Sequence, residues 1–214
     1  LEQHVQSVID TIAYIKPKDG LMMPEFDGAY VLAFEDGTKI IIHDPAAAGW
    51  TYQTFASYVD PRKGTEVLRG FQSLGQETKF ASIPEKGTAT YEGISTAYLV
   101  SDDNPDSQLS SNVKAIVDFG LKGVRFETSG SQINAVSGNQ RVSNAASEYN
   151  LKGTATWKDS NLFLGKVTSA DGKMSGNLSG KFFGPNTEEI GGTYGLKNTD
   201  GSVHFLGGYG AKRK

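Results

Sequence analysis

The rhythm of hydrophobic and polar positions changes once along the chain. In residues 1–15, Val5, Val8, Ile9, Ile12 and Ala13 recur at helical spacing with Glu2, Gln6 and Asp10 opposite them, which predicts an amphipathic helix. Residues 16–20 (KPKDG) stop it, because Pro and Gly end helices. Residues 29–34 and 38–43, rich in β-branched and aromatic side chains, flank an Glu35-Asp36-Gly37 turn and predict a hairpin. Asp44 and Pro45 break that pattern. An aromatic segment follows (Trp50, Tyr52, Phe55, Tyr58), and residues 60–64 form another turn cluster.

Beyond residue 85 the period becomes two. Short strands are expected at 88–94, 113–119, 123–127, 149–157, 162–167, 176–183, 191–196 and 203–209, separated by turn sequences such as 169–173 (SADGK) and 198–201 (NTDG). Regular spacing with Asp-Gly turns means consecutive antiparallel hairpins. In the last strand Val203, Phe205 and Gly207 alternate with His204, Leu206 and Gly208. Glycines at 176, 180, 191, 192, 207 and 208 weaken a flat sheet but suit the bends and close approaches of a barrel, and closure removes exposed edges. The expected fold is mainly β: a small N-terminal α+β domain (1–85) followed by an eight-stranded antiparallel up-and-down β-barrel (86–214). Residues 101–112 and 129–147, long and polar, read as exposed loops.

Composition narrows the function. The 214 residues include 11 Phe, 9 Tyr and 2 Trp, enough for a packed core, and the 26 Gly follow no collagen period. No apolar run approaches the roughly 18 residues of a membrane-spanning helix. A net charge of −3 gives no general attraction to nucleic acid. The chain has no Cys, so disulfides, thiol nucleophiles and thiolate metal sites are excluded. Nucleophile-elbow, phosphate-loop and dinucleotide motifs are missing, and no enzyme is expected. Asp102, Asn104 and Asp106 begin like a calcium loop, but Ser107 and Val113 stand where Gly and Glu are needed. Glu188 and Glu189, adjacent on a strand or turn, point apart and read as solvated acids rather than a catalytic pair.

Three histidines remain. His204 reads as a barrel-wall residue without a ligand role. His4 lies at the edge of the helical stripe, either solvated or facing a pocket. His43 ends an apolar strand just before the aromatic segment, and reads either as an exposed strand-end residue or as a ligand. A neutral imidazole beside aromatic surface is the environment of an iron porphyrin ligand, with Asp44 or a nearby carbonyl available to hold the other ring nitrogen. Met22 and Met23, at the foot of the same hairpin, line such a pocket or pack in a core.

Residues 179–194 (SGKFFGPNTEEIGGTY) resemble the F-(F/Y)-G-x-x-A-x-E-(I/L/V)-G-G signature of neisserial-type surface lipoproteins, the superfamily of transferrin-binding protein B and factor H binding protein. Residues 83–93 (IPEKGTATYEG) and 208–213 (GYGAKR) are similar to the opening and closing strands of their barrel. The chain departs from the signature at Asn186 and Thr187, where the family often has Ala. The resemblance implies an eight-stranded barrel preceded by a ligand-selecting "handle", exported through a dedicated outer-membrane translocator to the cell surface or medium. A single barrel with a short handle looks most like the hemophilin-type hemophores of that group. That likeness implies haem (iron protoporphyrin IX) bound in the N-terminal half through histidine. His43 is the first-choice axial ligand and His4 the candidate second, with Met22, Met23, Trp50, Tyr52, Phe55 and Tyr58 as pocket residues. The implied partners are a host haem protein such as haemoglobin as donor and a TonB-dependent outer-membrane receptor as acceptor. The alternative is a protein-binding surface module of the adhesin or immune-evasion type. A third reading, a lipocalin-like barrel with an internal ligand, is opposed by the supply of Phe119, Phe126, Phe163 and Phe205 to fill the interior.

Overall fold

The computed structural model describes residues 12–15, 28–61, 67–101, 104–137 and 140–214. The described residues form two antiparallel sheets. The first runs in chain order through β1 (Ile12–Ile15), β2 (Ala29–Ala33), β3 (Lys39–His43), β4 (Gln53–Pro61) and β5 (Val67–Gly75). The expected hairpin is β2–β3, with Val31 opposite Ile41 and Ala29 opposite His43. Ile12–Ile15 is a strand paired with β2: a four-residue apolar run next to an open sheet edge gains more from ladder bonds than from helical spacing. The rest of the expected helix, with His4, lies outside the described residues, as do Met22 and Met23. Between β3 and β4, a single helical turn α1 (Pro45–Ala48) is capped by Asp44, whose Oδ1 accepts the Ala46 N–H at 2.9 Å, and ends on Gly49 at φ 77°.

The second sheet is the barrel. Its strands are β6 (Thr88–Ser101), β7 (Asn104–Asp118), β8 (Gly123–Ser137), β9 (Gln140–Ala145), β10 (Leu151–Thr156), β11 (Leu162–Ser169), β12 (Met174–Phe183), β13 (Glu189–Asn198) and β14 (Val203–Arg213). Pairing of β14 with β6 and of β8 with β10 closes eight of them into an antiparallel barrel, with β9 added to the far end of β8. The stretches expected as loops at 101–112 and 129–147 are largely the extended ends of β6–β9. Their polar side chains satisfy one another: Asn134 donates to Gln108 Oε1 at 2.5 Å and to Ser110 Oγ at 3.0 Å, and accepts from Ser143 at 2.7 Å. The interior is filled by Tyr91, Phe126, Phe163, Phe182, Tyr209 and their neighbours. Tyr194 is buried with them, its hydroxyl 2.8 Å from Ser95 Oγ. The barrel's own aromatic rings thus occupy its interior among the described residues.

Candidate functional site

The first sheet lies against the outer wall of the barrel, and the seam between them gathers the distinctive chemistry. Alternation along β3 and β4 puts Ile41, His43, Phe55 and Ser57 on the barrel side. Where the rings rest, the wall opposite carries glycines in place of side chains. On β14, Gly208 and Gly210 point outward; a Cβ at Gly208 would fall 2.8 Å from the Phe55 ring and 2.9 Å from Phe71, and one at Gly210 would fall 2.7 Å from Trp50. Missing Cβ atoms on β14 therefore shape the bed in which three aromatic rings sit.

His43 is closed into this seam. It is 5% exposed, its ring stacks on Phe55 with centroids 4.2 Å apart, and its Nε2 lies 3.3 Å from Thr96 Oγ1 on β6. Burial pushes its pKa down to about 4, so at neutral pH the ring is uncharged and keeps one nitrogen lone pair. Its carbonyl accepts the Thr54 hydroxyl at 2.6 Å. Asp44, expected as a partner for the ring, holds the Ala46 N–H through Oδ1.

The aromatic segment divides. Trp50 and Phe55 join His43, with Trp50 and Phe55 centroids 6.0 Å apart. Tyr52 is half-buried at the seam's margin, beside Gly184. Tyr58 is on the other face of the sheet, 45% exposed, its ring lying across Gly70. An odd-numbered partner (Phe55) and an even-numbered one (Tyr58) on the same strand cannot share a face, so the expected single wall is two surfaces. The outer surface carries Tyr30, Phe34, Tyr58 and Leu74, each more than a third exposed. His204 stands exposed on β14 with no part in the seam.

The residue the sequence reasoning missed is Glu189. Instead of a solvated acid it is 1% exposed, and its carboxylate accepts three consecutive backbone N–H groups from Thr51, Tyr52 and Gln53 at 2.6, 2.8 and 2.9 Å. A carboxylate satisfied by three amides anchors the β4 entry to the barrel. Beside it Gln53 is 3% exposed, with neither amide atom partnered, over Gly191 and Gly210. Phe71 and Arg69 of β5 complete the seam on Tyr98, Arg69 4.2 Å above its ring. The signal for Glu189 was present in the signature, where the acid is followed by Ile190, Gly191 and Gly192. Among the described residues no three His, Asp or Glu converge as a metal cluster.

Comparison with known proteins agrees with this architecture. The family described as "C-lobe and N-lobe beta barrels of Tf-binding protein B" matches residues 83–213. A solved transferrin-binding protein B of Haemophilus parasuis Hp5 (a Trp-176-Ala mutant) superposes with a TM-score of 0.60 at 18% identity, covering 87% of this chain and 37% of that one. The isotype 1 protein of serogroup B Neisseria meningitidis gives 0.58 at 16% identity, covering 93% and 37%. A structure described only as a surface lipoprotein gives 0.50 at 15% identity, covering 78% and 77%. The chain thus spans less than half the length of the two transferrin-binding proteins. No curated protein sequence matches it.

Proposed function

We propose, from the premise that this chain belongs to the family of the C-lobe and N-lobe β-barrels of transferrin-binding protein B, that it is a bacterial hemophore that captures haem at the seam through His43. The observation that carries the reading is the state of that ring: uncharged, packed on Phe55, beside Trp50, and tied to the barrel by one long hydrogen bond to Thr96. A neutral imidazole can donate to iron, and a 3.3 Å contact to a hydroxyl is a weak bond to exchange for that ligation. The aromatic neighbours suit a planar apolar cargo; burying a few hundred Å² of porphyrin contributes strongly at about 25 cal/mol per Å². Access requires the sheet to lift from β6, because His43 is covered in the closed seam. In this reading the protein works at the cell surface or in the medium, takes haem from a host haem protein such as haemoglobin and passes it to a TonB-dependent outer-membrane receptor.

Hemin titration followed by absorption spectroscopy tests it. A saturable Soret band is expected, abolished or strongly shifted in His43→Ala, unchanged in His204→Ala, and lost on acidification as the imidazole protonates. Loss in His4→Ala with His43→Ala unaffected moves the ligand to the N-terminal segment. No Soret band in the wild-type chain ends the haem reading.

The outer face of the sheet favours a second reading, a protein-binding surface module. Tyr30, Phe34, Tyr58 and Leu74 expose apolar area of the kind found at interface centres. It predicts that the chain binds an intact host iron protein such as transferrin with or without haem, and that Tyr58→Ser weakens this while His43→Ala does not.

A further inference from the structure

We infer that the barrel carries a second binding surface, diametrically opposite the seam, for a sulfated polysaccharide chain. The first sheet rests on β13 and β14. Going round the closed barrel, the strands farthest from that pair are β8 and β10. Centred on them is a shallow groove of about 660 Å³ whose charged lining is Lys114, Arg125, Glu127, Lys152 and Lys166. Register places these side chains in two outward rows. Lys114, Glu127 and Lys152 lie directly across β7, β8 and β10; Arg125, Thr154 and Lys166 lie across β8, β10 and β11.

Each row therefore holds two cations two strands apart, about 10 Å, and the rows are about 7 Å apart along the strands. None of the four forms an ion pair among the described residues; Lys166 bonds the neutral Asn177 Oδ1 at 2.7 Å. Four cations against one acid are concentrated here on a chain whose net charge is −3. A positive groove of this kind focuses the field on an anion lying along it.

The shape selects the ligand. A concave groove crossing four strands receives a flexible chain better than a flat headgroup plane. Cations interleaved with hydroxyls, Thr154 between Arg125 and Lys166 and Thr168 beside Lys152, match alternating sulfates and sugar hydroxyls, with Arg125 able to grip one sulfate through two N–H bonds. Because the surface faces away from the seam, it can be occupied while the seam is engaged.

The test uses the full chain with low-mass dextran sulfate as probe and neutral dextran as control, read by fluorescence anisotropy of labelled probe. Saturable binding is expected for dextran sulfate only, weakening about tenfold or more as salt rises from about 50 to about 200 mM. Lys152→Gln with Lys166→Gln should weaken it at least about tenfold, whereas Lys173→Gln with Lys197→Gln, an equal charge change elsewhere on the barrel, should not. Glu127→Gln should tighten it, since it removes the one acid between Lys114 and Lys152. All these positions tolerate Gln on an exposed or half-exposed wall, and unchanged melting confirms the fold. The proposal is overturned if the two double variants weaken binding equally, if Glu127→Gln leaves it unchanged, or if polyglutamate or anionic lipid vesicles bind the groove and dextran sulfate does not.

Discussion

Replacing Glu189 should unfasten the small sheet and leave the barrel standing. The carboxylate takes three backbone N–H bonds, and in the folded chain only Gln53 among those donors is fully buried. A hydrogen bond to a charged group contributes about 1.5–3 kcal/mol, and a buried donor left alone costs about 1–3 kcal/mol. In Glu189→Ala, water can reach the Thr51 and Tyr52 amides and recover part of their loss, but not that of Gln53. The expected penalty is about 3–5 kcal/mol, localised to the docking of β4. Glu189→Gln keeps one acceptor oxygen and the shape but loses the charge, for about 2 kcal/mol.

Native-state hydrogen exchange resolves where this energy acts. At 1.4 kcal/mol per decade, Glu189→Ala should speed exchange of β3 and β4 amides by about a hundred- to a few-thousand-fold. Amides in the barrel core, such as Leu196 and Phe205, should keep their protection. If sheet and barrel amides accelerate together, Glu189 stabilises the barrel and the anchoring argument fails. If neither accelerates, the carboxylate is not the cap of those three donors.

Other substitutions separate the same two units. Gly208→Ala pushes a methyl against Phe55 and Phe71 and should expose Trp50, seen as a red-shifted emission, with the barrel's melting preserved; Gly192→Ala drives a methyl into the Ser179 backbone and the Tyr209 hydroxyl and should lower barrel stability itself. The buried neutral His43 has a folded pKa of about 4 against about 6.5 when unfolded, so the unfolded chain takes up its proton first as pH falls. Its contribution is complete above about pH 6.5, declines between there and about pH 4, and below that the folded state is about 3 kcal/mol less favoured. Denaturant unfolding of His43→Phe should show a shallower acid slope than wild type across that window; identical slopes would mean the ring is not buried neutral. Isolated residues 86–214 should form the barrel without binding hemin, and extending the fragment to residue 76 should stabilise it. The extension restores the Thr78 bonds to Phe182 and Asn161 and the burial of Ile83 in the core.

The barrel was legible because its signals are local. Asp171 and Gly172, or Asp200 and Gly201, mark their hairpins within four residues, and Phe205 and Tyr209 alternate with outward neighbours as the pleat demands. The strand ends at 101–112 and 129–147 were not legible, because Asn134 and Gln108 read as loop residues until each is seen satisfying the other across a ladder. Two of the aromatic residues next to His43 could be found by proximity in sequence, but their partition from Tyr58 depended on strand parity, which an unassigned segment does not supply. Glu189 was misread for a different reason. Its partners are backbone amides 136 to 138 residues earlier, and an N–H group carries no mark in the sequence.

That misreading explains what the signature describes. Phe182 packs inside the barrel, while Phe183, on the opposite face, is buried outside it near Gly191. Gly184 sits at φ 88° against Tyr52, a conformation and a closeness that both favour glycine. Thr187, where the family pattern has Ala, adopts φ 61° with its carbonyl holding the Tyr91 hydroxyl and its side chain meeting Arg213. Glu189 reaches outward to the β4 entry, Ile190 inward to the core, Gly191 clears space for Gln53 and Gly192 for Tyr209. Few of these requirements concern strand pairing, which Val and Thr would serve better. Gly184, Glu189 and Gly191 instead seat the first sheet on the barrel wall, while Phe182, Thr187, Ile190 and Gly192 complete the barrel itself. The motif therefore encodes, beside the packing of the barrel itself, a joint that seats the first sheet on the barrel's outer wall.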